Sequence, residues 1–317
     1  MQNPKVSIIV PIYNVEKFIK KCLITLFEQD YQNIEYIFIN DATPDKSMNI
    51  FADVLKNYPN RQNDVILINH NINLGLCKTR MEGLSKTSGK FIVCVDSDDW
   101  VEKDMISSLV RKIVCENADI VMCDYYKVGS RKNYKKRDYF KNFSYEKRVD
   151  YIAKLLSGKI PISYLPAQII KKELYNDILF PKISFLEDLM TTIQLILKAK
   201  SIKHLEKALY YYNRNNDTAI TKSKNINQNI IDDIKNFTDD AEIFLKNNNI
   251  FDEVKDALYF GTVSRVFMRL KTFSDKLKFK KILSQVSKEA CDIKYIKNHP
   301  CLEKKEKILL QILFKFF

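Results

Sequence analysis

A chain of 317 residues, 46% of them hydrophobic, has enough apolar side chain to bury one large α/β core or two smaller ones, which excludes a disordered polymer. Six glycines and eight prolines exclude a collagen-like or linker-rich chain. The formal net charge of +13 concentrates anionic partners, which leaves nucleic acid, a membrane surface or a phosphorylated substrate, unless the lysines are simply solvated on helix faces.

The first apolar run, Val6 to Val10, is interrupted by Pro11 and reads as a strand rather than a leader. Four more β-branched runs follow, Glu35 to Ile39, Val65 to Ile68, Phe91 to Val95 and Asp119 to Cys123, separated by amphipathic stretches. That alternation predicts βαβ units and a mostly parallel sheet flanked by helices. Phe18, Ile19, Cys22, Leu23 and Leu26 recur at helical spacing and predict a helix covering one face. A second helix is expected over about 76–86, stopping at Gly89, where a left-handed residue costs little. Cys22, Cys94, Cys115 and Cys123 sit in apolar runs, no pair has C-x-x-C spacing, and none has metal-ligand spacing with the three histidines. Buried, reduced thiols and a cytosolic protein are the expectation.

From about residue 130 the composition shifts. Ser130 to Arg148 is strongly basic with interleaved Tyr and Phe and has no clear period, so it reads as a surface excursion or flexible loop. After Thr221 the pattern is helical, with Ile231, Ile234, Phe237 and Ala241 on one face and Leu258, Val263, Val266 and Leu270 on later ones. No window approaches the roughly 18 uncharged apolar residues of a membrane helix, so a soluble or peripheral protein is expected. Glu303 to Phe317 sets Ile308, Leu309, Ile312, Leu313 and Phe316 on one face, with Lys304, Lys305, Lys307 and Lys315 largely elsewhere. Such a helix either packs on the protein's own helices or lies on an anionic membrane.

The strongest chemical signal is Phe91-Ile-Val-Cys-Val-Asp96-Ser-Asp98-Asp99-Trp100, a buried strand ending in three carboxylates. In an open α/β sheet, ligands bind beyond the carboxyl ends of the strands. Carboxylates crowded there repel one another unless a cation lies between them, and hard oxygen ligands favour Mg2+ or Mn2+. The alternative is an Asp-rich turn in which Asp98 or Asp99 caps the next helix. Asn40-Asp41-Ala-Thr-Pro-Asp45 repeats an acidic strand end one unit earlier, and Tyr13 stands near the end of the first strand, where a base stacks or a core-edge ring packs.

These segments resemble the inverting family 2 glycosyltransferases with the GT-A fold. The likeness lies in Val6-Ser-Ile-Ile-Val-Pro11-Ile-Tyr13-Asn14, Asn40-Asp41-Ala-Thr-Pro-Asp45, Asn73-Leu-Gly75-Leu and Asp96-Ser-Asp98-Asp99-Trp100. It covers about the first 125 residues closely and extends more loosely to about residue 223. The resemblance implies a glycosyltransferase domain over 1–223, with a nucleotide-binding part to 125 and an acceptor part from 126, followed by a helical extension over 224–317. It implies that Tyr13 and Asp41 hold the base, that Asp96 lies by the ribose and diphosphate, and that Asp98 binds the metal, Mn2+ or Mg2+. Pro11 and Ser97 fall in the same nucleotide-sugar motifs, and Arg80 falls where the family has an arginine beside the nucleotide. Where the family usually has Asp-Asp-Gly-Ser, this chain has Asn40-Asp41-Ala42-Thr43, one charge and one glycine fewer.

The family also places Glu-Asp at the start of a helix facing the donor sugar, which points to Asp188 as the base, with Glu187 beside it; the two otherwise merely complement a helix dipole. Trp100 and Arg214 would flank the sugar and acceptor region, although a packed Trp and a structural Arg are open alternatives. The implied reaction moves a sugar with inversion from a nucleotide-linked donor, UDP-linked by family habit, to a saccharide or lipid-linked saccharide in surface polysaccharide synthesis. It needs no nucleic-acid partner. Two rival functions stand beside it. A sugar-phosphate nucleotidyltransferase would want a Gly-rich phosphate loop that the N-terminus lacks, and a basic nucleic-acid-binding protein would leave the acidic strand ends unexplained.

Overall fold

The computed structural model describes residues 3–141, 143–160, 165–181, 183, 186–216, 228–270, 279–292 and 294–297, with 304, 307, 308 and 311. They group into two compact units. One comprises Met1–Tyr145, Leu165–Phe180 and Lys198–Thr218, the other Glu146–Tyr164, Pro181–Leu197 and Ala219–Phe317. The grouping is not sequential: 146–164 and 181–197 belong with the C-terminal helices rather than with the sheet that precedes and follows them.

The first unit is built on a nine-stranded sheet. Its strands are β1 (Val6–Ile12), β2 (Ile34–Asn40), β3 (Val65–Asn69), β4 (Phe91–Cys94), β5 (Trp100–Val101), β6 (Ile120–Val128), β7 (Lys132–Lys135), β8 (Gln168–Lys171) and β9 (Ile202–Asn213). The order is β3-β2-β1-β4-β8-β6-β9-β5, with β7 paired to β6. The expected parallel character holds across β3, β2, β1 and β4. Beyond β4 the sheet is mixed: β8 is antiparallel to both β4 and β6, β9 is parallel to β6, and β5 is antiparallel to β9.

Every residue of β1 is buried, because both faces of the parallel half are covered. Val6, Ile8, Val10 and Ile12 share a core with Tyr36 and Phe38, with Cys22, Leu23 and Leu26 of helix α1 (Ile19–Phe27), Phe51 of α2 (Ser47–Lys56) and Leu109 of α4 (Met105–Cys115). The alternate residues face the other way. There α3 (Leu76–Ser85) approaches so closely that a Cβ on Gly83 would lie 2.7 Å from Ile9 Cγ2 and 2.9 Å from Ile39 Cδ1.

Three expectations change in physical detail. α3 ends at Ser85 without using Gly89 as a left-handed cap. Gly89 is required for space instead, since a Cβ there would meet Ser7 N at 2.7 Å and Lys5 O at 2.9 Å. The basic stretch after residue 130 is partly ordered as a hairpin: β7 pairs with the end of β6, and Arg137 is fully buried, donating from Nη1 to the carbonyls of Pro166 (2.8 Å) and Ala167 (3.1 Å). Asp124, also fully buried, anchors that return by accepting from Arg137 N (2.7 Å), His204 Nε2 (2.7 Å) and the Tyr134 hydroxyl. Cys115 is exposed rather than buried; it closes α4, whose buried face is formed by Met105, Ile106, Leu109, Val110 and Ile113.

The second unit is helical. It contains α5 (Arg148–Leu156), nearly all of α6 (Glu187–Lys198), α7 (Gln228–Asn247), α8 (Phe251–Arg269) and α9 (Phe279–Val286). α8 crosses the end of α5 at Gly261, where a Cβ would sit 1.9 Å from Leu156 O, and Arg265 Nη2 donates to the same carbonyl at 2.8 Å. α7 and α8 meet through the Thr238 and Thr262 hydroxyls, 3.1 Å apart, and Ile231, Ile234, Phe237 and Ala241 are buried as their spacing predicts. The stretch 303–317 lies outside the described residues except for 304, 307, 308 and 311, which are helical. Among the described residues no helix is long and apolar enough to cross a membrane.

Candidate active site

The carboxyl ends of β1, β2 and β4 deliver the polar residues that the sequence singles out. Pro11 is buried within β1 beyond its last pairing with β4, Ile9 with Cys94. A residue without an N–H therefore costs no ladder bond there. Tyr13 follows, 46% exposed, and Asn14 takes a positive φ of 55°. Asn14 N then donates to Thr43 Oγ1 (2.8 Å) and Glu16 N to Asp45 Oδ2 (2.8 Å). The loop after β1 is thus fastened to the loop after β2.

Ala42 occupies the position of the family's glycine at φ 54°. The left-handed backbone is retained, with a side chain that tolerates it less well than glycine does. Asn40 substitutes for the missing charge with hydrogen bonds: its Nδ2 donates to Asn69 Oδ1 (3.0 Å) and its Oδ1 accepts from Thr43 N (2.9 Å).

Asp41 is buried, and its carboxylate holds the start of α3. Oδ1 accepts from Leu74 N at 2.8 Å and Oδ2 from Gly75 N at 3.0 Å, placing negative charge at the positive end of that helix. His70 Nδ1 also donates to Asp41 Oδ1 at 2.7 Å, and Nε2 donates to Glu82 Oε2 at 2.8 Å. Three of about four acceptor positions on the carboxylate are therefore filled.

His70 and Glu82 are absent from the sequence reading, although His70 directly follows β3, a strand end of the kind that drew attention to the other motifs. Both imidazole nitrogens donate only in the protonated ring. Burial lowers the His70 pKa, but the hydrogen bonds and charges of Asp41 and Glu82 outweigh it and the net shift is upward. A raised folded value means that this stabilisation is present below the ordinary histidine range and lost as pH rises through the folded value. The melting-temperature difference between wild type and His70→Gln is therefore expected to shrink from about pH 6 to about pH 8. A difference that stays constant or widens across that range would rule out the charged bridge.

Around β4 the carboxylates crowd. Asp96 Oδ1 accepts from Arg80 Nη2 at 2.7 Å; Arg80 is buried on α3, so Asp41 and Asp96 hold the same helix at successive turns. Asp98 Oδ2 accepts from Asn216 Nδ2 at 2.8 Å. Burial, then the neighbouring Asp96 charge, push the Asp98 carboxyl up to about 6, against the smaller effect of the Asn216 bond. Asp99 is buried and occupied on both oxygens, by Tyr210 Oη (2.6 Å) and Asn213 N (2.7 Å). Burial, Asp98 and Asp96 hold it well above the usual carboxylate range. Neither Asp98 nor Asp99 caps the next helix, which begins at Met105 after the short strand β5. Ser97, between Asp96 and Asp98 in the chain, is buried. Tyr210, Asn213 and Asn216 support the cluster and carry no assignment from the sequence.

Whether a divalent ion suits this cluster turns on its donor atoms. Among the described residues no three His, Cys, Asp or Glu side chains gather as a cation site, and Asp99 is committed to Tyr210 and Asn213. Asp96 and Asp98 are less engaged, and the raised Asp98 value marks negative charge that a cation would relieve. One or two carboxylates complemented by substrate phosphates is the usual mode of Mg2+, so the residues fit.

The remaining candidates are Trp100, Arg214, Glu187 and Asp188. Trp100 of β5 stacks on Tyr211 with centroids 5.3 Å apart. Arg214 is half-buried, its backbone N donating to Val128 O at 2.6 Å and its guanidinium 5.9 Å from the Tyr212 ring. Glu187 and Asp188 open α6 in the second unit and are half-buried. They follow Leu186, whose φ of 76° is unusual for a branched side chain.

Residues 7–179 match the profile of Glycosyl transferase family 2. The chain is 38% identical over 122 residues to Glycosyltransferase GlyA of Streptococcus pneumoniae, covering 38% of this chain and 17% of that protein. It is 32% identical over 225 residues to the uncharacterized glycosyltransferase EpsJ of Bacillus subtilis, covering 69% of this chain and 63% of the relative. It therefore spans less than two thirds of either protein's length. The crystal structure of S. aureus TarS 1-349 in complex with UDP-GlcNAc superposes with a TM-score of 0.69 at 20% identity, over 98% of this chain and 90% of that one, which shows the shared GT-A fold. On the profile match, which spans the strand-end motifs described above, the chain belongs to glycosyl transferase family 2.

Proposed function

We propose that this protein transfers a sugar, with inversion, from a UDP-linked donor to a saccharide or lipid-linked saccharide acceptor in surface polysaccharide synthesis, working in the cytoplasm or at the inner face of the membrane. The observation that carries the reading is the crowding of Asp96, Asp98 and Asp99 at the end of β4 beside the buried Arg80. UDP-GlcNAc, the ligand named for the TarS complex, supplies the first donor to test.

In this reading Tyr13 offers its exposed ring to the base, and Asp41 keeps an acceptor position for a base N–H. Pro11 and Ser97 shape the walls of the nucleotide site. Arg80 orients Asp96 toward the ribose and diphosphate. Asp98 would hold Mn2+ or Mg2+, which when bound supplies Lewis-acid stabilisation to the leaving diphosphate. Asp188 accepts the proton of the attacking hydroxyl, with Glu187, Trp100 and Arg214 near the sugar and acceptor. The strained Leu186 directly before Glu187 and Asp188 supports a functional constraint there, since such backbone persists where surrounding structure enforces it. A nucleotide-sugar thermal-shift panel with and without Mn2+ tests the reading: UDP-sugars should stabilise the protein in the presence of the ion, and no response to any nucleotide would reject it.

A further inference from the structure

A row of aromatic rings crosses the mixed half of the sheet. Strand register sets Trp100 of β5 against Tyr211 of β9, Tyr211 against Tyr126 of β6, and Tyr126 against Tyr134 of β7. Trp100 and Tyr211 stack at 5.3 Å and Tyr211 and Tyr126 at 5.0 Å, while Tyr134 meets Tyr126 edge-on at 5.8 Å. The row starts one residue after Asp99.

Two exposed ammonium groups lie on it. Lys21 Nζ, from α1, is 3.3 Å from the Trp100 ring centroid. Lys132 Nζ is 3.7 Å from that of Tyr126 and 4.6 Å from that of Tyr211, and it donates to Tyr211 Oη at 3.2 Å. Tyr211 in turn donates to Glu102. Elsewhere in this unit Lys5, Lys141, Lys171 and Lys207 each pair directly with a carboxylate. Among the described residues neither Lys21 nor Lys132 has one within the 4.0 Å of an ion pair.

Burial, and then the charge of Lys132, lower the Lys21 pKa, so the two cations sense each other. Lys127, next to Tyr126, is lowered by burial and then by Arg214 and Lys135. Attraction to ring faces offsets part of this repulsion, at about 0.5–1 kcal/mol per exposed contact. The remaining positive charge is the complement of an anionic ligand.

We propose that this strip binds an anionic glycan, with Lys21 and Lys132 meeting its phosphate or carboxylate groups and the half-exposed ring edges meeting its sugars. Service to the acceptor of the transfer reaction rests on the function proposed above; binding itself does not. Single-stranded nucleic acid suits the strip less well, because base stacking needs open aromatic faces. Here the faces of Trp100, Tyr211 and Tyr126 are covered by one another and by the lysines.

Trp100 is the chain's one tryptophan, so intrinsic tryptophan fluorescence reads the strip directly. The full chain is titrated with dextran sulfate, neutral dextran and oligo(dT), with no sugar donor present. A saturable change with dextran sulfate, absent with dextran and weaker with oligo(dT), is expected. Lys21→Gln with Lys132→Gln should raise the dextran sulfate Kd roughly tenfold or more. The charge-matched pair Lys235→Gln with Lys255→Gln, on α7 and α8, should change it by no more than about twofold. The proposal is overturned by no fluorescence response to dextran sulfate, by an equal response to dextran, by tighter binding of oligo(dT), or by equal losses in the two double variants. Since no donor is present, any of these outcomes leaves the transferase reading to its own test.

Discussion

Asp188→Asn is expected to lower sugar transfer by about 10² to 10⁴, the range associated with losing a positioned general base. The substitution is nearly isosteric, and Asp188 lies in the first turn of α6, where loss of a carboxylate weakens the helix-dipole interaction by only about 0.3–1 kcal/mol. The fold should therefore survive. Because the base acts on the acceptor hydroxyl, UDP affinity by calorimetry should stay close to wild type while kcat collapses. That split separates a base from a residue that merely supports the nucleotide site. Near-normal turnover in Asp188→Asn would remove the assignment and make Glu187 the residue to test.

Asp98→Ala should weaken UDP binding in the presence of Mn2+ by roughly 10²-fold or more, since a metal-bridged contact to a diphosphate is worth several kcal/mol. The same affinity should depend on pH in wild type. With the Asp98 carboxyl at about 6, a protein at pH 5 must release a proton before holding a cation, so metal-dependent UDP binding should be about tenfold weaker at pH 5 than at pH 7. Stability moves the other way. A carboxyl raised above its unfolded value of about 3.9 stabilises the fold when protonated, and that contribution is lost as pH rises through about 6. Asp98→Asn should flatten both dependences. UDP affinity unchanged by Asp98→Ala or by a chelator would exclude this carboxylate as the metal ligand.

The parallel half of the fold was legible because β1, β2 and β4 are buried on both faces and read as continuous apolar runs, each ending in polar residues. β7 was not, for the opposite reason: Lys132, Asn133, Tyr134 and Lys135 are all exposed, so neither face imposes an alternation of apolar and polar side chains. Gly89 was recognisable as a special position, but a glycine required by backbone proximity and one required by positive φ look alike in a sequence. Likewise the motif containing Asp41 was visible while its hydrogen bonds were not. Its partners His70, Leu74 and Gly75 reach it only through the β2–β3 pairing and the turn into α3. The association of 146–164 and 181–197 with the C-terminal helices depends on long-range fits such as Gly261 against Leu156 O, for which local periodicity carries no information.

The most direct test of the account is release of UDP from a panel of UDP-sugars, beginning with UDP-GlcNAc, by purified protein with Mn2+ and a saccharide acceptor mixture. The account predicts UDP release from at least one donor, suppressed by chelator and lost in Asp98→Ala. Absence of release from every donor, or release undiminished in Asp98→Ala, would contradict it.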